Sequence, residues 1–414
     1  MIDIVDLRAR PDAYQQAYAA RQLRVDIASG LVVDEQWRAL TTELDAMRQQ
    51  RNAYAKARDI EGGQRLSSEI KAAEERLAVL TAEREHFLYS LPNLPLEDVP
   101  IGKDETDNVE VTQWGTPREF AFPVRDHVEI GQLTGTIDIE MARKTSGARF
   151  AFLKGKGALL EYAIMRYMLE KLLAKGFTFV IPPTLLRGEI LHNAGSGPGT
   201  VEEKIHAQEM YTLPEDNLGM IGTAEHAMAN MHLDQTLEAL PLRYAGWSSC
   251  YRREAGAAGK DTNGILRVHE FQKLEMFTYC APEESPAEHA LLIETAQELW
   301  RDLGIPHRVL LLCTGDIGWA SAKTYDIEAW IPSQHTYREV VSGSTCTDFQ
   351  SRRTRTRYTD AAGNKQLVHT LNATAVAVQR CIIAIYENYQ NADGSVTIPT
   401  VLRPYTGFDT ISVA

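Results

Sequence analysis

Residues 251–277 read YRREAGAAGKDTNGILRVHEFQKLEMF, and this stretch decides the fold of the chain. An apolar, alternating run ends in Arg252 and Glu254, a loop of small residues follows, and a second run carries Phe271 and Glu275. Alternation interrupted by Gly-rich turn chemistry predicts two antiparallel strands joined by a long loop. Because side chains alternate along a strand, we expect Arg252 and Glu254 to point to the same face.

The residue types on this face favour a bound nucleotide together with an amino acid. An Arg guanidinium offers a planar fork for a phosphate group, and the ring of Phe271 offers a flat surface for a base. Two carboxylates complete the set. A salt-bridged hairpin without a ligand explains these residues equally well, so the interpretation depends on the rest of the chain.

The stretch resembles motif 2 of the class II aminoacyl-tRNA synthetases, in the form found in the seryl-tRNA synthetase family. The similarity extends from MIDIVDLRARPDAY at residues 1–14 to VLRPY at residues 401–405. It implies an α+β fold in which an N-terminal antiparallel α-helical coiled-coil hairpin precedes an antiparallel β-sheet flanked by helices. We expect a tRNA-binding arm in residues 1–100 and a class II catalytic domain in residues 101–414. Motif 1 would lie near 158–183, motif 2 near 245–277 and motif 3 near 367–389.

The composition is that of a globular protein without a membrane segment. The 414 residues, 44% hydrophobic and 24% charged, leave room for two or three domains. The net charge of −13 argues against a protein that coats nucleic acid, although a local basic patch would still allow an RNA partner. The five cysteines lack zinc-ligand spacing, so we expect no zinc and a reducing compartment. With neither a signal peptide nor a membrane-spanning run, the sequence predicts a cytoplasmic protein with no membrane partner.

Two segments, residues 37–58 and 64–90, carry apolar residues at three- and four-residue steps and predict helices. These residues are Leu40, Leu44, Met47 and Tyr54 in the first segment and Leu66, Ile70, Ala73, Leu77, Leu80 and Phe87 in the second. Glu61-Gly62-Gly63 predicts a turn between them, which gives a coiled-coil hairpin with arms roughly 33 to 40 Å long. Such a hairpin is usually structural, with a solvated basic face. The resemblance implies instead that it binds the long variable arm of tRNA(Ser).

The resemblance also implies which residues bind L-serine. Thr223-Ala224-Glu225 matches the family's Thr-x-Glu element, which holds the amino group, and an ammonium needs such acceptors. A lone Thr-x-Glu is more often a helix cap. Glu275 would accept a hydrogen bond from the serine hydroxyl, and Asn372, Thr374 and Arg252 would also contact the amino acid. A buried carboxylate that requires this hydroxyl would penalise alanine strongly.

The resemblance implies that residues of the motif 2 hairpin bind the adenosine and the α-phosphate of ATP. Arg252 would bind the α-phosphate and Glu254 would lie near the adenine. Phe271 would stack beneath the base, with Val268 beside it.

Two later runs would complete the ATP site. Within Glu339-Val340-Val341-Ser342 the resemblance assigns all four residues to ATP, with Glu339 and Ser342 as ligands of Mg²⁺, a hard cation that prefers oxygen donors. Arg380, in the helix of motif 3, lies among apolar residues where a charge needs a partner, and ATP would provide it. The expected catalytic residues are Arg252, Arg380 and Glu339.

Other patterns narrow the choice of class and of substrate. No P-loop is present, and Gly195–Gly199 lacks the strand-to-helix context of a dinucleotide fingerprint, so it predicts a loop. The alternating arginines of Ser351–Arg357 fit a polyanion path or a solvated strand face, and we assign them no catalytic role. Only 34 residues follow Arg380, counting to 414. That is too few for the C-terminal anticodon-binding domain of the proline, threonine, histidine and glycine relatives, and together with the N-terminal hairpin this favours serine as the amino acid.

Residues 158–175 and 176–183 resemble motif 1, which implies a homodimer, although an ordinary helix–strand unit fits the same residues. The expected activity is that of a serine–tRNA ligase, which forms seryl-adenylate from serine and ATP and transfers the seryl group to tRNA(Ser), with tRNA(Sec) as a second candidate. One alternative is a specialised paralogue with a secondary-metabolism or carrier-protein acceptor. The other is a non-catalytic RNA-binding homologue. The complete set Arg252, Glu254, Glu275, Glu339 and Arg380 argues against the latter.

Overall fold

A computed structural model describes residues 1–195, 210–254 and 263–414 of the chain. Four helices occupy its N-terminal part: α1 (Ile4–Ala9), α2 (Pro11–Ala20), α3 (Ile27–Ala57) and α4 (Ile60–Tyr89). The last two form the predicted antiparallel hairpin, and their shared seam consists of the predicted apolar residues Leu40, Leu44, Met47, Tyr54, Leu66, Ile70, Ala73, Leu77 and Leu80. Phe87 instead joins a cluster at the base of the hairpin.

The hairpin is longer than the sequence predicted. Helix α3 has 31 residues and α4 has 30, which at 1.5 Å per residue gives arms of roughly 45 Å. The first helix begins at Ile27 rather than at Trp37, because the side chain of Asp26 accepts a hydrogen bond from the Ser29 amide and caps the helix there.

The predicted turn at Glu61-Gly62-Gly63 is wrong. The chain reverses earlier, where Arg58 adopts a left-handed conformation with φ of 59°. The side chain of Asp59 then accepts a hydrogen bond from the Gly62 amide at 2.9 Å. This cap places both glycines inside the first turn of α4, so capping prevails over the helix-breaking tendency of glycine.

An eight-stranded sheet forms the centre of the part of the chain that follows. Within the described residues its strands are β1 (Val109–Trp114), β2 (Thr178–Val180), β3 (Leu242–Tyr251), β4 (Glu270–Cys280), β5 (His307–Leu311), β6 (Lys323–Ile331), β7 (Thr336–Thr347) and β8 (His369–Ala377). Their order is β1-β5-β6-β7-β8-β4-β3-β2. All neighbours are antiparallel except β2 and β3, which are parallel. Strands β3 and β4 are the predicted hairpin, and β8 is the predicted strand of motif 3.

Nine further helices lie in the described residues. They are α5 (His127–Leu133), α6 (Ile139–Thr145), α7 (Lys156–Ala174), α8 (Gly188–Ala194), α9 (Ala224–Met228), α10 (Ser285–Asp302), α11 (Phe349–Thr354), α12 (Val378–Asn388) and α13 (Arg403–Thr406). Of these, α7, α9, α10, α11 and α12 contact strands of this sheet. Short strands form small additional sheets: Ile137–Asp138, Phe152–Leu153, Leu185–Arg187, Thr212–Leu213, Leu218–Met220, Thr236–Leu237, Arg357–Thr359, Lys365–Leu367, Val396–Thr397 and Thr410–Ile411.

The two faces of the sheet differ in polarity, and alternation along β7 shows how. Val341 belongs to the main hydrophobic core, and a Cβ at Gly343 would lie 2.4 Å from Ile293 of α10. Ser342 and Ser344 point the other way and line a cavity. Helix α10 therefore covers an apolar face, and the opposite face is left for polar chemistry.

The segment Ser351–Arg357 is not a solvated strand face. It begins in α11, and the guanidinium of the buried Arg353 lies 4.6 Å from the Phe349 ring and 4.9 Å from the Tyr89 ring. Tyr89 ends α4, so this arginine joins helix α11 to the base of the hairpin. The alternating arginines suggested a strand, but the first residues of this segment belong to helix α11.

Among the described residues, no helix combines the length and the hydrophobicity that crossing a membrane requires. All five cysteines are buried free thiols.

Candidate functional site

A cavity on the polar face of the sheet brings the predicted site residues together. Of the residues assigned from the sequence, all but Val341 line it: Thr223, Glu225, Arg252, Glu254, Val268, Phe271, Glu275, Glu339, Val340, Ser342, Asn372, Thr374 and Arg380. Val341 is 1% exposed and lies in the hydrophobic core. Strand alternation turns the Val341 side chain away from the cavity, so the predicted contact of this residue with ATP would have to come from its backbone.

One end of the cavity is built around Glu225, on the short helix α9. Thr223 caps this helix by accepting a hydrogen bond from the Glu225 amide at 3.3 Å, and it also lines the cavity. The Glu225 carboxylate accepts hydrogen bonds from the side-chain amides of Gln350, at 2.9 Å, and Asn372, at 3.2 Å. Burial, and then the negative charge of Glu275, raise the pKa of Glu225 to about 7.

The approach of α9 to the sheet depends on Gly246 in β3. A Cβ at this position would lie 2.7 Å from the sulfur of Met228 and 3.1 Å from the Cβ of Ala224, both in α9. Across the sheet, Gly246 pairs with Glu275 of β4. The missing side chain therefore lets the helix that carries Glu225 lie close to the strand that carries Glu275.

Glu275 forms the floor of the same end. Its Oε2 accepts a hydrogen bond from the Thr374 hydroxyl at 3.4 Å and lies 2.6 Å from Nζ of Lys273. Phe271, Lys273 and Glu275 are spaced by two along β4 and all line the cavity. The strand thus runs from an aromatic surface to a carboxylate floor.

Arg252 lies between the two ends, although not on a strand. Strand β3 ends at Tyr251, so the expectation that Arg252 and Glu254 share a strand face is wrong, yet both side chains reach the cavity. The Arg252 guanidinium lies 5.2 Å from the centre of the Phe271 ring, and its Nε donates to the Gly222 carbonyl at 3.2 Å. These contacts hold the positive charge over the middle of the cavity.

Glu254 follows in a left-handed conformation, with φ of 52°. Its carboxylate pairs with Arg267 at 2.8 Å, and its carbonyl accepts a hydrogen bond from Arg149 at 3.0 Å. Val268 is buried beside them. Two arginines therefore fix the backbone and the side chain of Glu254 at the Phe271 end of the cavity.

Arg380 already has a partner within the protein, in addition to the partner that ATP is expected to supply. Its Nη1 donates to the Glu339 carbonyl at 2.7 Å and lies 3.2 Å from the Glu339 carboxylate. The positive charge of Arg380, followed by that of Arg252, outweighs burial and lowers the pKa of Glu339. The predicted catalytic arginine and the predicted metal ligand are thus already paired.

The donors around Glu339 fit a magnesium ion. Within the part of the chain that the structure describes, no group of three or more Asp, Glu, His or Cys side chains forms a metal cluster. Mg²⁺ needs only one or two protein carboxylates when phosphates supply the remaining ligands. Asp326 pairs with Ser342 across β6 and β7, and its buried Oδ1 has no hydrogen-bond partner among the described residues. Burial and the charge of Glu339 raise the pKa of Asp326, so this site favours added positive charge.

Sequence reasoning missed Lys273, Gln350, Asp326 and Gln379, although all lie at or behind the cavity. Lys273 has the same strand spacing as Phe271 and Glu275, which is a signal that was present in the sequence. Gln350 has no local signal, since its contact with Glu225 spans 125 positions. Residues 196–199 of the Gly-rich loop and residues 255–262 of the motif 2 loop lie outside the described residues.

Comparisons with known proteins match both parts of the chain to domains of tRNA synthetases. Residues 1–95 match the seryl-tRNA synthetase N-terminal domain, and residues 210–389 match the tRNA synthetase class II core domain (G, H, P, S and T). A serine–tRNA ligase of Thermobifida fusca is 42% identical over 99% of both chains. The chain is also similar to the seryl-tRNA synthetase from Pyrococcus horikoshii complexed with ATP, with a TM-score of 0.92 and 37% identity over 100% of both chains. A cytoplasmic serine–tRNA ligase from Naegleria fowleri in complex with AMP gives a TM-score of 0.86 at 30% identity, over 97% of this chain and 96% of that one.

Proposed function

Because the chain belongs to the seryl-tRNA synthetase family and is a serine–tRNA ligase, we propose that its cavity holds serine and ATP side by side. Serine occupies the end built by Glu225 and Glu275, and adenosine occupies the Phe271 end. The observation that carries this proposal is the position of Arg252 between the two ends. A guanidinium there can bind both the carboxylate of serine and the α-phosphate of ATP.

The serine end matches the three polar groups of its substrate. Glu225 and Thr223 receive the ammonium group, which needs acceptors only. Glu275 and Thr374 receive the side-chain hydroxyl, and Asn372 links the two sets by donating to Glu225. Alanine would leave the buried Glu275 without its partner, which supports selection of serine over alanine.

The adenosine end is bounded by Phe271, Val268 and Glu254. The ring of Phe271 stacks beneath the base, and Glu254, fixed by Arg267 and Arg149, lies near the adenine. This pocket presents a flat apolar surface with one acceptor at its edge, as a purine with an exocyclic amino group requires.

The first reaction is a displacement at phosphorus. A serine carboxylate oxygen forms a bond to the α-phosphorus of ATP, the bond to the bridging oxygen breaks, and pyrophosphate leaves with the electron pair. This displacement requires no protein acid or base. Arg252 and Arg380 position the reacting groups and stabilise the charge on the phosphate oxygens. In the second reaction the 3′-terminal adenosine hydroxyl of the tRNA forms a bond to the carbonyl carbon of seryl-adenylate. The bond from that carbon to the phosphate oxygen breaks, and AMP leaves with the electron pair while its phosphate accepts the hydroxyl proton.

Glu339, Ser342 and Asp326 would hold Mg²⁺ together with ATP, and the ion would neutralise phosphate charge. The pairing of Glu339 with Arg380 keeps the Glu339 carboxylate ionised and ready for this role.

The hairpin of α3 and α4 is the proposed binding element for tRNA(Ser). Its surface carries exposed basic side chains along both helices: Arg51, Lys56, Arg58, Arg65 and Lys71. Cations at this spacing suit a phosphate backbone, despite the net charge of −13 for the whole chain. The five reduced thiols agree with a cytoplasmic location.

The deciding experiment is ATP–pyrophosphate exchange with each of the twenty amino acids, followed by tRNA charging. We expect exchange with serine and charging of tRNA(Ser). Arg252→Ala should abolish exchange and leave the circular dichroism spectrum unchanged. Arg253→Ala is the matched control, because Arg253 is an exposed neighbour that stacks on Tyr211 outside the cavity lining.

Each other outcome contradicts part of the proposal. Wild-type-like exchange by Arg252→Ala would remove this residue from the catalytic site. Exchange with serine but no charging of tRNA would favour a paralogue with another acceptor, and no exchange at all would favour a non-catalytic homologue.

A further inference from the structure

Lys273 is a buried cation that the proposed reaction does not use. It is 7% exposed, and its Nζ lies 2.6 Å from Oε2 of Glu275 on the floor of the serine end. A buried ammonium group is costly unless it is paired. Here Lys273 is paired with Glu275, the carboxylate that is also proposed to bind the serine side chain. The position of Lys273 therefore affects how the substrate binds.

The consequence concerns the balance of charge at this end of the cavity. Two carboxylates, Glu225 and Glu275, face the space that serine would fill. Gln350 and Asn372, which contact Glu225, are neutral, whereas Glu275 is paired with a full positive charge. One carboxylate is therefore left for one ammonium group, and an amino acid with a neutral side chain brings one.

We propose that Lys273 determines specificity by cancelling the charge of Glu275, so that the side-chain end of the pocket accepts a hydroxyl group and rejects an ammonium group of the same size. This inference depends on the proposed role of Glu275 in receiving the serine side chain. The amino acid that isolates the effect is 2,3-diaminopropionate, which carries an amino group in place of the serine hydroxyl. Its side-chain cation would meet Lys273 and repulsion would exclude it. Without Lys273, the same cation would find an unpaired carboxylate.

The test compares serine with 2,3-diaminopropionate in ATP–pyrophosphate exchange by the full-length protein. We expect the wild type to prefer serine, and Lys273→Met, which keeps the volume and removes the charge, to shift the ratio of the two kcat/KM values toward 2,3-diaminopropionate by at least about tenfold. The double variant Lys273→Met/Glu275→Gln removes both charges and should reject 2,3-diaminopropionate again. Lys323→Met is the matched control, since Lys323 pairs with Asp98 away from this cavity, and its ratio should equal that of the wild type.

The ratio separates a specificity role from a structural role. If Lys273→Met lowers kcat/KM for both amino acids by the same factor, Lys273 only supports the fold of the pocket and the inference is overturned. If that variant is too unstable to assay, the double variant decides, because acceptance of 2,3-diaminopropionate by a pocket without either charge would also overturn it. Failure of the proposed function looks different, since the wild type would then show no exchange with serine.

Discussion

At the scale of single residues, the ionisation of Glu225 governs whether the pocket can hold an amino acid. Its carboxylate accepts two amide hydrogen bonds, but amides cannot neutralise its charge. Burial and the neighbouring Glu275 therefore raise its pKa to about 7, and the charge of Lys273 only partly opposes this rise. In the proposed site the ammonium group of serine would supply the missing cation, so we expect serine to bind to the ionised form.

We expect kcat/KM for serine to fall as the pH is lowered through 7. A raised pKa means that Glu225 is mostly ionised at pH 8 and mostly protonated at pH 6 in the free protein. Between these values kcat/KM should therefore decrease about tenfold. The measurement is the pH profile of serine-dependent pyrophosphate exchange. Glu225→Gln should give lower activity without this inflection, and a wild-type profile that stays flat from pH 6 to pH 8 would contradict the role given to Glu225.

At the scale of elements, the serine end depends on how closely helix α9 lies to strand β3. Gly246→Ala would place a methyl group 2.7 Å from the sulfur of Met228. Met228 is fully buried, so the helix must move or the core must strain, at a cost of about 1–3 kcal/mol. We expect KM for serine to rise at least about fivefold while KM for ATP changes much less, because Phe271 and Glu254 lie at the other end of the cavity.

The control for this prediction is Gly63→Ala. Gly63 lies in α4, and a Cβ there would meet nothing within 4 Å. The substitution should raise the stability of the hairpin by about 0.5–1 kcal/mol and leave KM for serine unchanged. Equal changes of KM for serine and ATP in Gly246→Ala would show that the glycine supports the whole sheet rather than the position of α9.

The elements that the sequence predicts well are those with a periodic signal. The seam of the hairpin follows from the spacing of Leu40, Leu44, Leu66 and Ile70, and β3 and β4 follow from alternation around a Gly-rich loop. The chain reversal at Arg58 could not be predicted in this way, because one capping bond from Asp59 decides it.

Contacts between residues that are distant in sequence also could not be predicted from the sequence. The pairing of Gln350 with Glu225 joins residues 125 positions apart, and no local pattern encodes it. Lys273 was overlooked for a different reason. A lysine on an alternating strand is usually exposed, and although its spacing from Phe271 and Glu275 places it on their face of the strand, its burial follows only from its contact with Glu275.

At the scale of the whole molecule, exposed apolar side chains lie on the segment that resembles motif 1. Leu159 and Tyr162, one turn apart on α7, are 52% and 65% exposed, and Leu173 and Ile181, later in the same segment of sequence, are 48% and 72% exposed. An exposed cluster of this kind marks an interaction surface. We propose that it is the interface of a homodimer, as the resemblance to motif 1 implies.

We predict that Leu159→Asp/Tyr162→Asp converts a dimer into a monomer. Two unpaired carboxylates in an apolar interface are costly to desolvate. Sedimentation should therefore give about twice 46.3 kDa for the wild type and 46.3 kDa for the variant. Val79→Asp is the matched control, since Val79 is 58% exposed but lies on α4 of the hairpin, and it should remain dimeric. A monomeric wild type, or a double variant that still dimerises, would exclude this interface.

The same double variant should also have a lower exchange activity, because α7 is connected to the nucleotide end of the cavity. The side chain of Gln379 donates a hydrogen bond to the Glu161 carboxylate of α7 at 3.3 Å. Its oxygen accepts a hydrogen bond from the backbone amide of Gln272, next to Phe271. Gln379 directly precedes Arg380, so a displaced α7 would shift both the base-stacking ring and the catalytic arginine. We expect KM for ATP to rise in the monomer more than KM for serine. An unchanged KM for ATP in a proven monomer would show that α7 serves assembly alone.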